Sequence, residues 1–358
     1  MKQSSKQLEK FSSQIRFALE NYTPHGIDKN LLNAVLICGT GGSGVAGRIV
    51  KDYFQDKLDL PIGTAAGYLM PRYAGPDCLV VVWSHSGENE EALALYDIAR
   101  ERGCRLIVIS SGGRLSEKAR EDEVILYPAE AGLVSQPGAS SVSQSSSISN
   151  PGASSVSGPE SSAVLTSGMA LGYALGYQFQ IIFELLGVYK KPDLIKIADK
   201  LDNASDYRQQ SAEIAGIFQE TRRQKFIVVC DAFFEGAAIC FCQQLNQAAG
   251  IEAFVNVLPE GGYHVLETYK QQTNNQRTNH QRTNHLQSNF IFLNSRLSLP
   301  VNLRFSAVKD QLEKTGIKPV ELLVADSSLD SLFHIVHLLD WVALQVSGIE
   351  APALAGAR

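Results

Sequence analysis

What this sequence lacks narrows its possible functions first. No apolar run approaches the ~20 residues that cross a bilayer. The polar start Met1-Lys2-Gln3-Ser4-Ser5-Lys6-Gln7 has no leader pattern. The expectation is a protein without a membrane partner that works in the cytoplasm. No basic stripe is visible either. With 32 Lys and Arg against 37 Asp and Glu the net charge is -5, so nucleic acid and anionic membranes are not expected partners. An anionic ligand must then be held by local dipoles, not by bulk charge. Cysteines are few: Cys38, Cys78, Cys104, Cys230, Cys240 and Cys242. Four of them fall in or beside apolar runs, where a thiol packs as a small hydrophobe. Cys240 and Cys242 stand two apart on a predicted helix and diverge, which is poor metal geometry. The expectation is reduced thiols and no metal or other cofactor.

What is present suits an α/β protein. The chain has 358 residues, 44% hydrophobic and 19% charged, enough for one large or two ordinary α/β domains. The stretch from Leu36 to Gly47 organises the rest. An apolar run, Ala34 to Cys38, has the length and branching of a buried strand. It breaks into Gly39-Thr40-Gly41-Gly42-Ser43-Gly44 and resumes as a helical pattern, Val45 to Phe54. Strand, glycine turn and helix leave backbone N–H groups at a helix start, a ready anion site. The Gly-Lys-Ser/Thr ending of a nucleotide-triphosphate loop is missing. A dinucleotide fingerprint, a phosphate loop and a plain tight turn all remain open.

Along the chain, residues 3–21 read as an amphipathic helix. Leu60 to Ala66 reads as a short strand, and Cys78 to Trp83 as a buried one, by its continuous apolar run. Ser84-His85-Ser86-Gly87-Glu88-Asn89 follows, then a helix with Ala92, Leu93, Leu95, Tyr96, Ile98 and Ala99. Arg105 to Ser110 and Val124 to Tyr127 are further strands, with a helix between them. Strands alternating with helices predict a parallel sheet covered on both faces. Residues 134–163 are dominated by serine, and Pro137 to Ser143 recurs as Pro151 to Ser157. Such a segment cannot bury a core and reads as an inserted loop. A helix from Met169 to Leu186 and a helical linker from Leu194 to Thr221 lead to a second α/β half. Its strands are predicted at 226–230, 253–258, 290–293 and 320–324, and its helices at 236–249, 301–315 and 329–346. A second repeat, Arg-Thr-Asn-His at 277–280 and 282–285, marks another loop near 271–288. The predicted organisation is thus 1–165, a helical connection at 166–222, and 223–358. His334 and His337, three apart on the last helix, read as core or helix-surface residues.

A second anion loop lies one strand on from the first. Ser84, Ser86 and Asn89 sit where a parallel strand feeds a helix, at the carboxyl end of the sheet where open α/β folds bind ligands. With Gly42 and Ser43 they form a cluster of neutral donors suited to one phosphate monoester. At this point the motifs Gly39 to Gly44, Ser84 to Glu91 and Ile109 to Leu115 resemble the sugar isomerase (SIS) domain. More narrowly, they resemble the bifunctional phosphoglucose/phosphomannose isomerases, which carry two such domains. The second half resembles them through Gln244 to Ala248, Leu258-Pro259-Glu260 with His264, and Leu338 to Val342.

The resemblance implies two SIS-type, doubly wound, parallel-sheet (Rossmann-like) sandwiches and a homodimer in carbohydrate metabolism, at the level of glycolysis or gluconeogenesis. It also implies cofactor-free interconversion of glucose 6-phosphate or mannose 6-phosphate with fructose 6-phosphate. That chemistry needs ring opening, then proton transfer between C1 and C2 through a cis-enediolate. A carboxylate base, a histidine on the ring oxygen and a positive group beside the enediolate serve these steps. By the resemblance His264 opens the ring, and Gln247 stands at the position of the base, where glutamine cannot accept a proton. Glu260 is the nearby substitute. Gln136-Pro137 is followed by Gly138 where the family has an arginine. Glu88 stands in the phosphate loop, harmful if it points inward and harmless if it caps a helix from outside. A catalytically impaired sugar-phosphate binder and an amino-sugar phosphate enzyme are the alternatives.

Overall fold

The computed structural model describes residues 2–129, 170–221, 225–268, 288–296, 298–324 and 326–348. The Ser-rich segment and the Arg-Thr-Asn-His repeat lie outside them, as do Gln136 and Pro137. After helices α1 (Lys2–Leu8) and α2 (Phe11–Glu20) comes a regular alternation. Its parts are β1 (Ala34–Cys38), α3 (Gly42–Phe54), β2 (Ile62–Ala65), β3 (Cys78–Trp83), α4 (Glu90–Glu101), β4 (Arg105–Ser110), α5 (Gly113–Glu121) and β5 (Ile125–Pro128). The strands form one parallel sheet in the order β2-β1-β3-β4-β5. Every residue of β1 and β3 is buried, because helices cover both faces. Alternation along the strands divides the core: Val35, Ile37, Leu79 and Val81 face one layer, Leu36, Cys38, Val80 and Val82 the other.

Three helices follow, α6 (Leu171–Leu185), α7 (Lys191–Leu201) and α8 (Ala204–Thr221). The second half contains β6 (Lys225–Cys230), α9 (Glu235–Gln244), β7 (Glu252–Val257) and α10, the helical run at 260–268. It closes with β8 (Ser288–Asn294), α11 (Leu299–Lys314), β9 (Val320–Leu323) and α12 (Leu329–Val346). Its sheet is again parallel, in the order β7-β6-β8-β9. Helix α12 has the length and apolarity of a membrane span, but 72% of it is buried inside the fold. Its apolar character is spent on the core. There His337 stacks on Phe11 at 4.9 Å and accepts from the Trp341 indole at 3.1 Å. Burial pushes the His337 ring down to about 3. His334 meets the Tyr207 hydroxyl at 2.9 Å.

The two halves share one core cluster. They meet where α3 packs on α9, and Gly236 is what allows the approach: a Cβ there would lie 2.6 Å from the Ile49 nitrogen. The Asp52 carboxylate on α3 accepts from the Gly236 N–H at 2.6 Å, capping the start of α9. Burial pushes this carboxyl up to about 7 against the opposing effect of that hydrogen bond.

Three elements depart from the sequence reading. The helix expected over 3–21 is broken after Leu8, because α1 packs on α12 while α2 packs on α6, and one axis cannot serve both. The linker helix is likewise two helices, α7 and α8. The helix expected over 236–249 ends its α-form at Gln244 and closes with a π-helical turn, Leu245–Ala249, capped by Gly250 at φ +62°.

Candidate phosphate cradle and catalytic edge

The glycine loop follows β1 and bends sharply into α3. Gly41 has φ +55°, in the left-handed region glycine favours. A Cβ on Gly44 would lie 2.5 Å from the Gly39 carbonyl oxygen. The loop after β3 lies beside it at the carboxyl edge of the sheet, on the neighbouring strand. Here Ser84, 2% exposed, accepts from the Gly87 N–H through its Oγ at 3.2 Å. The exposed Ser86 Oγ accepts from the Glu88 N–H at 3.2 Å. A hydroxyl that accepts in this way keeps its own proton for a third party. Among the described residues neither serine hydroxyl donates to a protein group. Asn89 caps α4, its Oδ1 accepting from Ala92 N–H at 3.0 Å. Gly42 opens the first turn of α3. Ser43 lies in that turn, and its side chain is outside the described residues.

A third loop, after β4, locks the second in place. Ser111 N–H donates to His85 O at 2.9 Å and Leu115 N–H to Gly87 O at 3.0 Å. The Ser111 hydroxyl also donates to His85 O. Gly87 has φ +72°, and a Cβ on it would stand 1.8 Å from the Gly112 oxygen. Glu88 points away from the cradle. Its carboxylate accepts from Arg114 N–H at 3.0 Å and from Arg114 Nε at 2.8 Å, capping α5. Arg114 holds the Glu88 carboxyl below its ordinary range. Of the two placements open to Glu88, the harmless one is found.

The catalytic candidates divide between two places. Phe233 lies near Tyr53, with ring centroids 6.1 Å apart, and Gly236 lies against Arg48 and Ile49. Helix α9 therefore packs against α3 through its start. Its far end is the π turn carrying the exposed Gln247. Such turns arise where the ladder accommodates an extra residue and are frequent at functional sites. Just before it, Gln244 donates through Nε2 to Asp340 Oδ1 on α12. Asp340 is 1% exposed, and burial pushes it up to about 7. The sequence offered no sign of this polar pair beneath the π turn. Glu260 and His264 stand elsewhere, one turn apart on α10 and both exposed. Glu260 begins α10. Gln247 precedes β7 and α10 follows it, so they lie at opposite ends of a six-residue strand about 20 Å long. One chain does not bring Gln247 and His264 together.

Comparison with known proteins bears on this geometry. Residues 209–350 match the model of the bacterial phospho-glucose isomerase C-terminal SIS domain. Over 318 residues the chain is 24% identical to the bifunctional phosphoglucose/phosphomannose isomerase of Aquifex aeolicus, covering 87% of this chain and 82% of that one. The chain is similar to the bifunctional phosphoglucose/phosphomannose isomerases. It is 35% identical over 99 residues to the enzyme of that name from Caldicellulosiruptor bescii, a stretch spanning 27% of this chain and 29% of that relative. The fold is shared with the C-terminal domain of glucosamine-fructose-6-phosphate aminotransferase from Francisella tularensis. That match has 14% identity and a TM-score of 0.62, and covers 96% of this chain and 94% of that one.

Proposed function

We propose that this chain interconverts aldose and ketose 6-phosphates, glucose 6-phosphate or mannose 6-phosphate with fructose 6-phosphate, through a cis-enediolate. The observation that carries the reading is the cradle. Two loops meet at the carboxyl edge of the first sheet on adjacent strands, with two serine hydroxyls still able to donate. Gly42, Ser43, Ser84 and Ser86 hold the phosphate, and Asn89 fixes the helix start beside it. Neutral donors at helix N-termini suit a monoester dianion without Lys or metal. His264 acts on the ring oxygen and Glu260 is the carboxylate beside it. Gln247, in the π turn after α9, orients the substrate by hydrogen bonding and takes no proton.

The division of these groups between two edges supports a homodimer in which α10 of one copy completes the cradle of another. Tyr263, Leu299 and Leu303 are 58%, 71% and 61% exposed, an apolar surface near Glu260 and His264 that such contact would cover. The six free, buried cysteines fit a reducing compartment such as the cytoplasm. Gln247 favours one second reading, a sugar-phosphate binder that has lost turnover. Following fructose 6-phosphate by NMR separates the two. Appearance of glucose 6-phosphate or mannose 6-phosphate, slowed at least tenfold by Ser86→Ala, is the isomerase outcome. Saturable binding with no product after extended incubation leaves the binder.

A further inference from the structure

A pocket of about 370 Å³ opens at the carboxyl edge of the second sheet, between β8, β9 and α11. Its position follows from a difference between the halves. In the first sheet the crevice between the loops after β1 and β3 is the cradle, at the point where the strand order reverses. In the second sheet the matching crevice, between the loops after β6 and β8, is filled. Asp231 is fully buried there. Its Oδ2 accepts from both the Ser295 N–H and the Ser295 hydroxyl at 2.7 Å, and its Oδ1 accepts from Phe233 N–H at 3.1 Å. A carboxylate in that place repels an anion. The open space lies one strand further out.

The lining of that space is not a solvated face. Arg296 holds φ +57°, a backbone conformation uncommon for a residue with a Cβ and concentrated at functional positions. It is kept there by Asn294, whose Oδ1 accepts from the Arg296 N–H at 2.9 Å. Arg296 lines the pocket, and no ion pair to it is seen among the described residues. Lys309 borders it from α11, paired with Glu321 of β9. Asn302, also in the lining, has a buried Oδ1 without a hydrogen-bond partner. Ser306 adds a hydroxyl, and Phe292 and Phe305 form an apolar wall. Two cations against one carboxylate leave one positive charge over. The Ser306 hydroxyl and the Asn302 amide in the lining beside that charge suit a hydroxyl next to an anionic group.

The geometry points to a second ligand site, separate from the cradle, for a small hydroxylated anion. Arg296 takes the anionic group, Asn302 and Ser306 take hydroxyls, and the volume suits a molecule of a few carbons. Phosphate and carboxylate share this chemistry, so glycerol 3-phosphate and glycerate are the two probes. Neither needs the isomerase reaction to be detected. Isothermal titration of the full chain with glycerol 3-phosphate is expected to show two binding events. Arg296→Asn keeps a residue that tolerates the left-handed backbone while removing the guanidinium, and it weakens one event at least tenfold. Lys309→Met weakens the same event, whereas Ser86→Ala weakens only the other. Glycerate binding that is lost in Arg296→Asn, with glycerol 3-phosphate confined to the cradle, supports the site and assigns it to carboxylates. Binding of both probes that Arg296→Asn and Lys309→Met leave unchanged overturns it, as does the absence of any event beyond the one sensitive to Ser86→Ala.

Discussion

Replacing Gly87 by alanine tests how the cradle is built. The left-handed backbone at φ +72° costs an alanine about 1–2 kcal/mol. The added Cβ would meet the Gly112 oxygen at 1.8 Å, when ordinary contact begins at 3.4 Å. The loops after β3 and β4 must therefore part by more than an ångström. That movement breaks or stretches the bonds joining them, Ser111 N–H to His85 O, Leu115 N–H to Gly87 O and Arg114 N–H to Glu88 Oε1. Each contributes about 0.5–1.5 kcal/mol. The expected loss is about 2.5–6.5 kcal/mol in urea denaturation, with at least tenfold weaker glucose 6-phosphate binding. Gly187→Ala is the control. It has φ +68° and nothing within 4 Å of its Cβ, so it suffers only the backbone strain, about 1–2 kcal/mol. If Gly87→Ala is no less stable than Gly187→Ala and binds sugar phosphate within twofold of the wild type, the three loops are not the interlocked unit described.

Glu88→Gln should change sugar-phosphate affinity by less than about threefold, because the carboxylate serves Arg114 and α5. A tenfold tightening on titration would place its charge against the ligand instead. Asp52 links stability to pH. Its folded carboxyl, raised by burial to about 7, binds its proton more tightly than the unfolded one. Its contribution is therefore full below the unfolded value near 4 and is lost as pH rises through 7. Asp52→Asn should flatten that fall in denaturation midpoints between pH 4 and pH 7. A wild-type slope in the variant would contradict the assignment. Gln247→Glu restores a carboxylate at the end of α9 and should raise turnover at least tenfold in a coupled assay, provided the loss of that base is what limits the reaction. An unchanged rate would mean that proton transfer depends on other groups.

Much of the fold was legible because the strands announce themselves. Continuous apolar runs such as Cys78 to Trp83 are what strands buried on both faces require, and α12 spans the residues its pattern gave. Where the reading failed, tertiary packing had decided. Residues 3–21 look like one helix locally, yet α1 and α2 lie against different partners. The π turn at Leu245–Ala249 carries no composition signal, since glutamine and alanine suit an ordinary helix equally well. In the site, the serine and glycine loops were readable because glycine at tight turns and serine at strand ends have local causes. The direction of Glu88 was not, because Arg114, 26 residues further on, fixes it. Nor was the separation of Gln247 from His264, which depends on β7 standing between them. Asp340 beneath Gln244 and Asp231 against Ser295 are long-range contacts with no local trace.

The most direct measurement of the central claim is incubation of the chain with fructose 6-phosphate in D₂O, with deuterium followed by NMR and mass spectrometry. Exchange at C1 of the ketose and deuterium at C2 of the aldose product are expected, both reduced at least tenfold by Ser86→Ala. Binding of fructose 6-phosphate with no deuterium at either carbon would contradict that claim.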